Sequence, residues 1–282
     1  TPFTVSIDAR NDITTGVSAI DRAKTVLSAI DDNAKPEDLD KPGHIFPLCA
    51  KKGGVLERPG HTEGAVDLMK LSGLKPSAVL CELMNSDGTM TRGKQLEIFA
   101  KDHDLLIISI QDIIDYRLCH ENLVIEQSDA YLPLDPYGKF KISVVKESIT
   151  GLEHTVLENI NSSKNKDTPT LVRIHSACFT GDVFGSLRCD CHQQLHYSLK
   201  RISEEGGILI YLNQEGRGVG LLNKIKAYAL QEKGFDTIEA NEELGLPVDS
   251  RNYHLAANIL KNKSINFFNW SSCIGKQTIP LL

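Results

Sequence analysis

The sequence predicts an α/β (α+β layered) protein of two domains, each a mixed sheet with packed helices. Three observations carry that prediction. Short apolar runs alternate with segments of helical apolar spacing at the pitch of layered sheets and helices. A stretch rich in proline and glycine, residues 132–138, separates two such series. The length of 282 residues also exceeds an average single domain.

In the first series, residues 78–81 and 105–110 are continuous apolar runs that read as buried strands. Residues 61–73, 93–103 and 111–119 have the spacing of helices. A charged, irregular stretch (120–129) and the punctuated run 132–138 then mark the boundary between units of residues 1–125 and 126–282. The second series opens with 139–145, an alternating half-buried strand. A polar loop (161–169) leads to strand 170–174, and a further strand covers 207–212. Helices are expected at 190–204, 219–233 and 250–262, the last behind Asp249 as N-cap.

Composition narrows the functional classes. A net charge of −6 and the absence of a basic tract argue against a surface that grips nucleic acid. No run approaches the roughly 18 apolar residues of a spanning helix, so no membrane partner is expected. Seven cysteines make a poor disulfide framework and point to a reducing compartment. Cys49, Cys81, Cys119 and Cys273 are isolated, whereas Cys178, Cys189 and Cys191 cluster. The chain opens at Thr1 with no charged segment before an apolar core, so no signal peptide is expected. It reads as a fragment or a processed form.

The clustered thiols offer three soft ligands suited to zinc, and a catalytic zinc keeps its fourth position for water. His192 and His196, spaced to share a helical face, leave a closed Cys/His structural site open as an alternative; buried free thiols are a third. Gln214-Glu215-Gly216-Arg217-Gly218-Val219-Gly220 follows a strand and opens a helix, where backbone N–H groups and Arg217 can face an anion. An ordinary strand–turn–helix connection accounts for the same glycines.

Four blocks in order are more specific. Arg173-Ile174-His175-Ser176-Ala177-Cys178, Leu187-Arg188-Cys189-Asp190-Cys191, Gln214-Glu215-Gly216-Arg217 and Asp236-Thr237-Ile238-Glu239-Ala240-Asn241 through Asp249-Ser250-Arg251 closely resemble GTP cyclohydrolase II. The resemblance implies opening of the imidazole ring of GTP, with release of formate and pyrophosphate, at the start of riboflavin synthesis. By it, Cys178, Cys189 and Cys191 hold Zn²⁺, whose bound water attacks the purine carbon as hydroxide. Arg251 is then the nucleophile toward the α-phosphate, Asp249 its proton acceptor, and Tyr228 a participant in the ring chemistry. A guanidinium stays protonated, so a carboxylate is the helper such a nucleophile needs. Arg173, Ile174, His175, Ser176, Ala177, Gln194, Glu215, Gly216, Arg217 and Thr237 match GTP-contacting positions.

The first unit carries two Pro-Gly-His turns, Lys41-Pro42-Gly43-His44 and Arg58-Pro59-Gly60-His61-Thr62, then Cys81-Glu82-Leu83. Thr14-Thr15-Gly16-Val17-Ser18-Ala19 adds hydroxyl and backbone groups suited to phosphate. Together these resemble 3,4-dihydroxy-2-butanone 4-phosphate synthase, which converts ribulose 5-phosphate to the butanone phosphate and formate. That resemblance makes His44 and Glu82 catalytic and His61 a ligand of Mg²⁺ (or Mn²⁺). It has Arg58, Pro59, Gly60, His61, Thr62 and Glu82 bind ribulose 5-phosphate. The order of the two activities is that of the fused bifunctional proteins of riboflavin synthesis. The expected partners are therefore GTP, ribulose 5-phosphate and a second copy in a homodimer. The expected location is the cytoplasm, or an organellar stroma if a transit peptide has been removed.

Three departures temper the expected activity. The synthase's acidic loop, with its other magnesium ligand, has no counterpart in the sequence. Ala177 stands where the cyclohydrolase usually has Glu. The Thr-Asn-Asn-Pro-x-Lys segment of the GTP site is missing after about residue 264. The expectations are an inert synthase unit and weak or absent GTP ring opening. A catalytically silent relative, serving as a zinc-stabilised binding or partner subunit, is the alternative class.

Overall fold

The computed structural model describes residues 3–159, 169–265, 267–272 and 275–280. Cys273 and all of the expected polar loop but Pro169 lie outside the described residues. The chain divides into two compact units, Thr1–His120 and Glu121–Leu282.

In the first unit, β1 (Ile7–Ala9) and β2 (Leu39–Ile45) pair antiparallel, and α1 (Ala19–Ala29) lies between them in sequence. Ser18 caps α1 by accepting from the Asp21 backbone N–H. Asp21 is buried, and its carboxylate accepts from Thr14 N and Oγ1 and from Gly16 N. The donors that the sequence suggested for a phosphate are thus taken by an internal carboxylate. The helices α2 (His61–Leu71), α3 (Lys94–Asp102) and α4 (Ile110–His120) form where apolar spacing predicts them. A buried ion pair ties α2 to α4: Arg117 Nη1 lies 2.7 Å from Asp67 and also donates to the Gly53 carbonyl.

The runs 78–81 and 105–110 are not strands. Residues 78–81 and 105–109 have no regular structure and are exposed, Leu106 completely so, and Ile110 begins α4. A strand exists only by pairing, and among the described residues of this unit β1 and β2 form a two-stranded antiparallel sheet with each other. The mixed sheet expected here is therefore replaced by that ribbon.

Among the described residues the second unit has seven strands: β3 (Val124–Leu134), β4 (Gly138–Glu147), β5 (Glu153–Asn159), β6 (Thr170–Ser176), β7 (Ile208–Leu212), β8 (Phe267–Ser272) and β9 (Gly275–Pro280). Their order is β3-β4-β5-β7-β6-β8-β9, with β6 parallel to β7 and β8 and the other pairings antiparallel. The stretch expected to be irregular, 120–129, is largely β3, whose charged residues suit a sheet edge. Residues 132–138 form the β3–β4 hairpin inside this unit, so the punctuation marks a turn and not a boundary.

Strand β7 reads as a continuous apolar run because both its faces are covered. Ile208, Ile210 and Leu212 join Val145, Val156 and Val172 beneath α9 (His254–Asn262). Leu209 joins Phe140 and Leu171 beneath Leu199 and Ile202 of α6 (Cys191–Glu205). The result is a helix–sheet–helix sandwich. Burying Ile259 and Leu260 of α9 contributes about 1.5–3 kcal/mol each. Helix α9 starts at His254, not at 250, and Asp249 is not its cap; the carboxylate is held by Arg251 instead.

His154 on β5 gives a pH handle on this unit. It is buried, its Nδ1 accepts from the Asn213 N–H at 3.0 Å, and its Nε2 has no hydrogen-bond partner. Burial holds its pKa below the usual 6.5, so the unfolded chain takes up a proton that the folded chain resists. Stability is therefore full above that value and falls as the pH drops below it. We expect the urea midpoint to decline between about pH 7 and pH 5, and to decline less in His154→Gln. Equal declines would assign the effect to other groups.

Candidate active site

Because β6 and β7 run parallel, their C-terminal ends open side by side, the usual place for a ligand site in such sheets. Cys178 follows the end of β6 and begins α5 (Phe179–Asp182). Cys189 and Cys191 lie at the start of α6. The three sulfurs lie within 4.8 Å of one another, with Cys178 and Cys189 at 3.5 Å. Thiolates around a tetrahedral zinc at about 2.3 Å sit roughly 3.8 Å apart, so the donor set fits such an ion. Gly181 is required beside them: a Cβ there would come within 2.8 Å of Cys189 Sγ and 2.9 Å of Cys178 Sγ.

Neither histidine of the closed-site alternative joins the cluster. His192 Nδ1 is 3.4 Å from the Asp182 carbonyl, and His196 Nδ1 is 2.8 Å from the Tyr137 hydroxyl. Among the described residues the donor group is the three cysteines alone.

Two residues around the thiols were given no role from the sequence. The Asp182 side chain is buried, with Oδ1 2.9 Å from His175 Nε2, while Oδ2 accepts from the Tyr211 hydroxyl and the Cys178 N–H. Burial opposes its ionisation, but these bonds outweigh it and hold the carboxyl below the usual range. The other is Lys224 on α7 (Leu221–Gln231), whose Nζ donates to Cys178 Sγ and to Glu215. Burial pushes the Cys178 thiol up, yet the Lys224 bond and neighbouring donors prevail and bring it down. Burial drives Cys191 the other way, upward. Polar residues at irregular spacing carry no periodic signal; Asp182 beside Gly181 and Lys224 one turn beyond a glycine loop were the available clues.

The glycine loop and the segment after α8 (Thr237–Glu243) are stitched together. Gly216 and Arg217 both take left-handed backbone, φ 61° and 59°, a conformation that only the glycine adopts freely. The Arg217 carbonyl accepts from Ser250 N, and Gln214 Nε2 donates to the Asn252 carbonyl. Between them sits the pair that the sequence singled out. Arg251 Nε lies 2.9 and 3.0 Å from the two Asp249 oxygens, and the Arg251 N–H donates to the same carboxylate. That contact holds the Asp249 carboxyl well below its usual range and keeps the guanidinium charged.

Glu215 joins this loop to the thiols. Its Oε2 accepts from the Phe179 N–H at 2.6 Å, and its Oε1 accepts from Lys224 and from the Gly216 N–H. Both oxygens of this expected GTP contact are engaged within the protein. Tyr228 on α7 has its hydroxyl 3.4 Å from Thr180 Oγ1 and its ring beneath the Arg188 guanidinium. Arg173 donates to Gln194 at 2.6 Å. Ile174 packs into the core and His175 is buried against Asp182, so these two of the expected GTP contacts turn inward. Ser176 and Ala177 are half-buried at the strand end, and Thr237 opens α8 behind its Asp236 cap.

In the first unit, His44 Nδ1 lies 2.7 Å from Asp8, which also accepts the His44 N–H. Asp8 was not foreseen; its position on β1, opposite β2, is a tertiary fact. Arg58 donates to the buried Glu63 at 2.7 Å. Gly60 caps α2, His61 is its exposed first residue, Thr62 is buried and Pro59 is exposed. Glu82 is exposed in irregular chain, and among the described residues its side chain makes no hydrogen bond or ion pair. Among the described residues no group of three metal donors includes His61.

A two-unit α/β protein, with a cluster of three thiols able to hold a metal at the parallel strand ends of its second unit, is the class that this architecture defines. Comparison with known proteins makes it particular. Residues 126–268 match the family model of GTP cyclohydrolase II, and residues 1–116 match that of 3,4-dihydroxy-2-butanone 4-phosphate synthase. The chain belongs to the GTP cyclohydrolase II family, with a synthase-family unit ahead of it, the pairing of bifunctional riboflavin biosynthesis proteins. Both families are enzymes. The riboflavin biosynthesis protein RibBA of Cytophaga hutchinsonii is 52% identical over 268 residues, covering 94% of this chain and 65% of the relative. That of Aquifex aeolicus is 53% identical over 269 residues, covering 94% and 66%. The chain thus spans just under two thirds of these relatives. The crystal structure of RibBX, a two-domain 3,4-dihydroxy-2-butanone 4-phosphate synthase from A. baumannii, is similar with a TM-score of 0.66 and 31% identity, covering 96% of this chain and 70% of that one. Among the described residues no helix is long and apolar enough to cross a membrane.

Proposed function

We propose that the second unit opens the imidazole ring of GTP, releasing formate and pyrophosphate, with Zn²⁺ held by Cys178, Cys189 and Cys191. The observation that carries this reading is the gathering of the three thiols within 4.8 Å. Glu215 ties them to the loop that Ser250, next to the Asp249–Arg251 pair, also holds. A zinc ion bound there supplies Lewis acidity toward the purine. The protein's own groups do the rest. Asp249 aims the Arg251 guanidinium and takes its proton as that group engages the α-phosphate. Arg217 and the left-handed loop offer charge and backbone N–H groups to the phosphates. Tyr228 stands over the ring chemistry, and Arg173, Gln194, Ser176 and Thr237 orient the nucleotide.

The family of the first unit acts on ribulose 5-phosphate, and His44, Glu82 and residues 58–62 are the positions of this chain that match its contacts. Since among the described residues no group of three donors includes His61, no step through Mg²⁺ or Mn²⁺ is derived. A homodimer is supported by exposed apolar side chains such as Phe184, Leu187 and Leu222. A reducing cytoplasm is supported by the free thiols of Cys49, Cys81 and Cys119, and the net charge of −6 supports a role without nucleic acid.

The test combines metal analysis with two substrate assays. We expect about one zinc per chain, slow formate and pyrophosphate release from GTP, and no butanone phosphate from ribulose 5-phosphate. Under half an equivalent of zinc overturns the metal assignment. A zinc-loaded chain releasing no formate from GTP overturns the activity, and turnover of ribulose 5-phosphate overturns the expectation of an inert first unit.

A further inference from the structure

Lys224 is foreshadowed by no motif, yet it is among the least exposed lysines of the second unit. Its side chain is 12% exposed, with Nζ 3.0 Å from Cys178 Sγ and 2.8 Å from Glu215 Oε1. An ammonium is removed from water only where partners compensate it. Glu215 alone would balance its charge, but the amine is shared with the sulfur. Three thiolates around a divalent cation carry one surplus negative charge, and in a half-buried site that surplus is poorly screened.

We propose that Lys224 is a positioning residue of the metal centre: its ammonium hydrogen-bonds the Cys178 thiolate, offsets the surplus negative charge and damps that sulfur's electron donation to the bound divalent metal. The inference rests on the reading of the three cysteines as metal ligands. Glu215 is the counterpart that fixes the direction of the amine, since it grips Nζ while accepting the Phe179 N–H from the thiol loop itself. Thr180 Oγ1, 3.9 Å from the same sulfur, is a longer contact and carries no charge to offset the surplus. A compact point charge on a flexible stem suits this task better than a planar guanidinium fork. Outer partners of this kind orient ligands and tune the metal.

The cobalt(II)-loaded chain reads the effect without turnover, because the sulfur-to-cobalt charge-transfer energy falls when a thiolate loses its hydrogen-bonded cation. Lys224→Met and Lys224→Gln are expected to move that band to longer wavelength and to weaken cobalt binding about tenfold or more. Lys224→Arg keeps the charge and is expected to stay nearer the parent chain. Far-UV circular dichroism checks each fold, and Lys224→Gln, which keeps a polar head, carries the test if the Met variant fails to fold. A band that stays in place in the neutral variants overturns the proposal, as does an Arg variant displaced as far as they are. A parent chain with no thiolate band, or one whose band survives Cys178→Ser, removes the metal reading itself and the proposal with it.

Discussion

Cys189→Ser is expected to empty the metal centre and abolish formate release from GTP. Cys189 Sγ lies 3.5 Å from Cys178 Sγ, inside a group of three donors with no histidine in reserve among the described residues. A serine hydroxyl is a far weaker ligand for a soft or borderline ion than a thiolate. Changes to outer-shell partners alone cost roughly 10–100-fold in metal affinity, and loss of a direct ligand costs more. Metal analysis after dialysis against a weak chelator should therefore find the variant near empty and the parent chain near one equivalent. The sandwich core does not pass through this sulfur, so circular dichroism should stay close to that of the parent. Formate release that survives in a metal-free variant would place the chemistry elsewhere.

Arg251→Ala is expected to give the opposite combination, full metal and no turnover. The side chain lies a third exposed on its loop, paired with Asp249 and outside the thiol group. An exposed pair of this kind contributes about 0–1 kcal/mol to stability, so the fold and the zinc should persist. Formate release should drop by roughly 10³-fold or more if the guanidinium is the nucleophile, as removal of a reacting group does elsewhere. Asp249→Asn leaves the guanidinium in place without its proton acceptor, and a loss of about 10²–10⁴-fold is expected. Near-parental rates in Arg251→Ala would remove this residue from the chemistry.

The second unit was the more legible half. Helices α6 and α7 and strands β4, β6 and β7 follow from their apolar periods, and the three cysteines announce themselves by residue type. β3 was hidden because an edge strand in water has no need of an apolar face, and its charges read as loop. The start of α9 was misplaced for a related reason: Asp249 has the chemistry of a cap, but a guanidinium two residues on competes for it. In the first unit the error ran the other way. Apolar runs at 78–81 and 105–110 look like strands to any periodicity rule, but strand formation is a property of pairs, and β1 and β2 pair with each other. The roles of Asp182, Asp8 and Lys224 were invisible because they depend on contacts between distant elements. Asp21 shows the same limit in reverse: the hydroxyl and N–H groups of the 14–18 loop were legible, but not the carboxylate that claims them.

Glu215 has one oxygen on the thiol loop and the other on the lysine that touches Cys178, while its backbone belongs to the loop held by Ser250. Order in either region is thereby transmitted to the other through a single carboxylate. In thermodynamic language the occupancies of the two halves are reciprocal: whatever factor a metal adds to nucleotide affinity, a nucleotide adds to metal affinity. Scarcity of the ion would then lower the apparent affinity for the nucleotide as well as the rate, and abundant nucleotide would protect the ion from chelators.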